Sequence, residues 1–172
     1  NLLDREAVRK TVADSGFVVH LGNHASPHSP ERHRVFNENV TINLNVFDAA
    51  REFGVSKIVF ASSIQVIASE PEPELPRAEV SVPYLPLDGN APPAPKNLYA
   101  LSKRVSEIML QQLAAQGGAE AIALRLPAMH PPERLTNSPG GKARRPKTFR
   151  VRPLTRAQAF SWLSCEDAAR LV

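Results

Sequence analysis

The sequence predicts an α/β fold, a parallel sheet with helices on both faces. Two observations carry that expectation. Helix-like and strand-like segments alternate in the order helix, strand, helix, strand, helix, strand, which is the pattern of parallel βαβ units. The first two strand candidates, "GFVVHLG" and "SKIVFASS", are nearly continuous apolar runs, as strands buried on both faces should be. At 172 residues the chain suits one domain with a real core.

Each element has a local reason. Asp4 can cap a short helix through "REAVRKTVA", which ends at "DSG". The strand "GFVVHLG" lies between Gly16 and Gly22, and residues 23–36 read as a polar loop. "NENVTINLNVFDAAREFG" reads as an amphipathic helix whose apolar face is Val40, Leu44, Phe47 and Ala50, with Gly54 closing it. "SKIVFASS" is rich in β-branched residues. Residues 71–95 hold eight of the sixteen prolines and read as a long ordered loop. A helix then runs from about Asn97 to Gln116, stopped by Gly117 and Gly118, and "AEAIALRLP" is the third strand. In such sheets ligands lie beyond the carboxyl ends of the strands, here "LGNHAS", "ASSIQV" and "RLPAMHPP".

Composition narrows the partners. No apolar run approaches the roughly 20 residues of a membrane span, so no membrane is expected. Cys165 is the only cysteine, which excludes an internal disulfide and makes a reducing cytoplasm the default location. The net charge of +4 is concentrated in seven basic residues between Lys142 and Arg156. That run lacks interleaved stacking aromatics beyond Phe149, so nucleic acid is not the expected partner. His20, His24 and His28 recur every four residues, but Gly22 and Pro27 interrupt any helix there, so no metal site is expected.

The chemistry-bearing pair is Tyr99 and Lys103, four apart in "NLYALSKRVSEI". Residues so spaced share one helix face. An ammonium beside a phenol favours the phenolate, lowering the tyrosine from its ordinary pKa of about 10. A tyrosine tuned in that way serves as a general acid or base near neutral pH.

Several stretches together resemble the extended short-chain dehydrogenase/reductase family, in its NAD-dependent epimerase/dehydratase branch. They are "VVHLGNHAS", "NENVTINLNVFDAAREFGVSKIVFASSIQV", "LPLDGNAPPAPKNLYALSKRVSEIML", "ALRLPAMHPP" and "FSWLSCEDAARLV", in the family's order. The resemblance implies a Rossmann-like sheet and an NAD or NADP cofactor. It makes Tyr99 the acid/base, Lys103 the group that holds the nicotinamide ribose, Ser63 a donor to the reacting oxygen, and Asn39 the helix asparagine of the site. It places Leu21, Gly22, Tyr99, Lys103, Leu126 and Pro127 against the cofactor. It further implies a small-molecule substrate of the sugar or nucleotide-sugar class, epimerase/dehydratase-like hydride chemistry on a secondary alcohol or carbonyl, and a homodimer when full length. A ketone or aldehyde reductase and a non-catalytic nucleotide-sensing regulator are the rival readings.

The departures are specific. Ile67 and Ala68 replace the usual tyrosine and glycine, Ala128 replaces an asparagine that helps to hold nucleotide sugars, and Pro131 replaces a glycine. None of the eight glycines forms the Gly-x-x-Gly-x-x-Gly loop that lets backbone approach a pyrophosphate. The expectation is therefore a piece of a longer protein, with the N-terminal βαβ portion absent and the isolated chain inactive. Residues 1–132 read as a partial Rossmann-like, cofactor-binding and catalytic domain, and 133–172 as the start of a substrate-binding region.

Overall fold

The structure, a computed structural model, describes residues 1–72, 74–75, 82–84, 86–117, 119–130, 162–164 and 169–170. The basic run, Cys165 and Pro131 lie outside them. Helix α1 (Arg5–Val12) leads to strand β1 (Phe17–His20), helix α2 (Arg32–Glu52) to β2 (Lys57–Ser63), and helix α3 (Leu98–Ala115) to β3 (Glu120–Leu126). A 3₁₀ turn, Ile64–Val66, follows β2. Among the described residues no helix is long and apolar enough to cross a membrane.

The three strands form a parallel sheet in the order β1-β2-β3, a Rossmann-like arrangement. Val18, Ile58 and Ala121 lie in one register row and His20, Phe60 and Ala123 in another. Period-two alternation puts these residues on one face of the sheet. One core joins that face to all three described helices, through Val8 and Val12 of α1, Phe47 of α2 and Leu110 of α3. A second pair, β4 (Ala128–His130) and β5 (Trp162–Ser164), is also parallel. It links residues on either side of the 132/133 division expected from the sequence.

The caps follow the local sequence. The Asp4 carboxylate accepts from the backbone N–H groups of Glu6 and Ala7. The Asn97 side chain accepts from Ala100 N at 2.8 Å, and Glu72 accepts from Leu98 N at 2.6 Å. Anionic and polar acceptors there satisfy donors that the first helical turn leaves open. Gly54 sits at φ 67° just past α2, where a side chain would be strained.

Two expectations need correction. Helix α2 begins at Arg32, inside the stretch that reads as loop. Nothing after Pro30 blocks a helix, and Arg34 pairs with Glu31 and Glu38 one turn away on either side. Leu44 is 54% exposed, although periodicity assigns it to the core. The face of α2 toward α3 is polar: Asn39 donates to Ser102 Oγ at 3.1 Å and Asn43 to Ser106 Oγ. Helix rotation is set by those buried amides as well as by Phe47 and Ala50, and Leu44 is turned outward.

Candidate active site

Parallel pairing brings the carboxyl ends of β1, β2 and β3 to one edge. Leu21 and Gly22 follow β1, Ser63 ends β2, and Leu126 ends β3 with Pro127 just after it, Ser63 lying directly opposite Leu126. Leu21 is 63% exposed. A Cβ on Gly22 would meet the tip of the Leu2 side chain, which would have to move aside.

Tyr99 and Lys103 occupy one buried face of α3. Lys103 Nζ donates to Asn23 Oδ1 at 2.8 Å and to the Ala61 carbonyl at 2.7 Å. It lies 5.0 Å from the Phe60 ring centroid and 5.9 Å from that of Tyr99. Burial disfavours its charge and lowers its pKa to about 7. Tyr99 is shifted in the direction opposite to the sequence-based expectation. Burial pushes its phenol up, while the Ser63 hydroxyl beside it acts the other way. Desolvation of the buried phenol outweighs the Ser63 hydroxyl.

Ser62 and Ser63 divide the work of the β2 end. Ser63 Oγ accepts from Gln65 N at 3.2 Å and faces Tyr99. Ser62 Oγ donates at 2.6 Å to Glu107 Oε1, farther along the same helix as Tyr99. Glu107 is bound twice by Arg125, at 2.9 Å each. Burial works to raise the Glu107 carboxyl, but Arg125, Ser62 and Arg104 outweigh it and hold the pKa below the usual range. A cavity of about 610 Å³ borders this pair, lined by Ile64, Leu110, Gln111 and Arg125 among others, but not by Tyr99, Lys103 or Ser63.

Asn39 is fully buried. Its Oδ1 accepts from His24 N at 2.8 Å, and its Nδ2 donates to His24 O and Ser102 Oγ. Among the described residues its bonds reach neither Tyr99 nor Lys103, so it ties the loop after β1 to α3. The histidines that recur every four residues also part company: His20 bonds Asn43, and His24 bonds Glu38.

The model of the NAD dependent epimerase/dehydratase family matches residues 1–150. The chain belongs to that family.

Relatives in this epimerase/dehydratase family span sugar oxidoreductases. A uronate dehydrogenase of Pseudomonas syringae pv. tomato is 24% identical over 100% of this chain and 50% of its own length. The crystal structure of uronate dehydrogenase from Agrobacterium tumefaciens superposes with a TM-score of 0.68 at 25% identity, covering 99% of this chain and 52% of that one. A UDP-glucose 4-epimerase of Thermus thermophilus, in complex with NAD, has a TM-score of 0.60 at 30% identity over 76% of this chain and 40% of that one. The chain spans about half the length of the curated relatives that it matches end to end.

Sequence reasoning missed five residues around these strand ends: His20 as a hydrogen-bonding group, Asn23, Asn43, Ser102 and Ser106. The signal was available in two helices. Asn39 and Asn43 are four apart, as are Ser102 and Ser106, and a polar stripe at helical spacing marks a buried polar seam when its partner helix carries a matching one.

Proposed function

We propose that the protein is an NAD(P)-dependent oxidoreductase acting on a secondary alcohol, or its carbonyl, in a sugar or sugar derivative. The observation that carries this reading is the buried Lys103 amine at the strand ends, beside Tyr99 and held by two acceptors. An ammonium has three donors. Two are used by Asn23 and Ala61, which leaves one for a ribose hydroxyl, and this donor set fits a dinucleotide. When bound, NAD(P) supplies the hydride acceptor and a positively charged ring.

The chain's own residues then divide the remaining tasks. Lys103 holds and orients the ribose. Ser63 donates to the reacting oxygen, and Tyr99 exchanges a proton at Oη. In the structure as it stands the raised pKa keeps Tyr99 protonated. Taking a proton from an alcohol therefore requires added positive charge nearby. The same raised pKa favours one alternative, a ketone or aldehyde reductase, since a protonated phenol is the donor that carbonyl reduction needs.

A free sugar or sugar acid is preferred over a nucleotide sugar. Two uronate dehydrogenases match along the whole chain and a third over 76% of it, whereas the UDP-glucose 4-epimerase match covers three quarters. Ala128 also stands where a nucleotide-sugar contact is expected. Within this reading, residues 1–132 form the cofactor and catalytic part and residues 133–172 begin the substrate-binding part. The test is NAD(P)H formation by the full-length enzyme with a panel of free sugars, uronates and nucleotide sugars, run in parallel with Tyr99→Phe. The variant should lose roughly 100- to 10,000-fold in turnover with its melting temperature unchanged. Near-normal turnover by the variant would overturn the assignment, and NAD(P)H consumption with simple ketones alone would favour the reductase.

A further inference from the structure

We propose that Asn23 is the positioning residue for the Lys103 amine, held in its own orientation by Asn43 and His20. The argument rests on hydrogen-bond polarity. A lysine ammonium only donates, so the Asn23 atom 2.8 Å from Nζ is its oxygen. That choice turns the Asn23 amide nitrogen toward Asn43 Oδ1, at 2.9 Å, and the Gly22 carbonyl, at 3.4 Å.

Asn43 Oδ1 also contacts His20 Nε2 at 2.6 Å, which puts the imidazole proton on Nε2. Asn43 Nδ2 donates to Ser106 Oγ, which donates to the Ser102 carbonyl at 2.8 Å. Reversing either amide would set donor against donor. Asn43 and Ser106 are fully buried, and His20 nearly so. Such a network permits one arrangement. A residue on the loop after β1 thereby gains the rigidity of α2, α3 and the sheet.

The setting of Lys103 is otherwise sparse. The titratable groups facing it are His20 from β1 and Tyr99 from its own helix. Strand β2 offers the Ala61 carbonyl and the Phe60 ring. Among the described residues Lys103 has no ion pair. Asn23 is therefore one of two acceptors that favour its charged form, and its loss should make Lys103 easier to deprotonate.

The inference rests on the proposed function for its catalytic meaning, but its test does not. Lys103 can be titrated by NMR of the purified protein labelled with ¹³C at lysine Cε, with no nucleotide present and with Lys103→Arg to assign the signal. The wild-type midpoint should lie at about 7. Asn23→Ala should move it down by about one pH unit, through the lost hydrogen bond to the charged form. Asn23→Asp should move it up by at least about one unit, because a carboxylate would replace the amide. Opposite shifts in two variants cannot come from loosened packing, and the Asp variant serves alone if the Ala variant fails to fold. Unchanged midpoints in the folded variants would overturn the proposal. Failure of the full-length enzyme to bind NAD(P) would overturn the proposed function and leave this one standing.

Discussion

At the scale of single residues, burial decides the charge states around the strand ends. His20 illustrates the sign. Burial lowers its pKa from 6.5 to about 4, the bond with Asn43 opposes that shift, and the nearby Lys103 adds to it. Above pH 6.5 the imidazole is neutral in both the folded and the unfolded chain, and its contribution to folding is complete. Between 6.5 and 4 the unfolded chain takes up the proton first, so stability falls as pH falls, by about 3 kcal/mol in all. His20→Gln keeps a donor for Asn43 but cannot titrate. Urea unfolding across this range should show wild type losing more stability than the variant by about that amount; parallel curves would disprove the linkage. Tyr99 and Lys103 were legible as a pair because helical spacing is a local property. Their protonation was not, since the shifts depend on how much protein surrounds them.

At the scale of elements, the contact between α2 and α3 is a polar seam set in an apolar core. Its two rungs, Asn39–Ser102 and Asn43–Ser106, share a sequence separation of 63. A constant separation means that the two helices run parallel, as two crossovers of a parallel sheet must. Buried amides left without partners are costly, about 1–3 kcal/mol each. Ser102→Ala and Asn39→Ala should each destabilise by at least about that amount. The double variant should lose less than the sum, with a coupling of about 0.5–3 kcal/mol. A urea double-mutant cycle measures this, and strict additivity would show that the rung carries no pairwise energy. The element order, the cap at Asp4 and the stop at Gly54 were readable from neighbouring residues. The early start of α2 was not, because "ERHRVF" carries a polar pattern that suits a loop equally well until Val35 finds a buried place.

At the scale of the whole molecule, the outward turn of α2 has a visible result. Leu44, Leu101 and Ile108 are 54%, 38% and 43% exposed on the two parallel helices. Phe47, by contrast, belongs to the core. Exposed apolar side chains grouped on neighbouring helices suit a second copy of the chain, in line with the homodimer expected from the sequence. The protein should sediment as a dimer at micromolar concentration, and the paired change Leu44→Lys with Leu101→Lys should shift it to monomer without lowering its melting temperature. A wild-type protein that sediments only as monomer would refute the surface.

What the sequence determined by itself is the part of the protein written in short range. Apolar runs, helical periodicity and capping residues specified a parallel α/β sheet, and the chain's ordered stretches pointed to the epimerase/dehydratase family, whose model matches residues 1–150. Tyr99 and Lys103 stood out by their helical spacing, and Ser63 was named through the family resemblance. Only the tertiary structure decided how those residues behave. It joined Lys103 to Asn23 across 80 positions of sequence and gave Asn39 a bridging place. It also raised the Tyr99 pKa where the isolated pair implied the reverse. The physical reason is common to all three. Desolvation and hydrogen-bond polarity are properties of what surrounds a group, and those surroundings are assembled from segments that are distant along the chain.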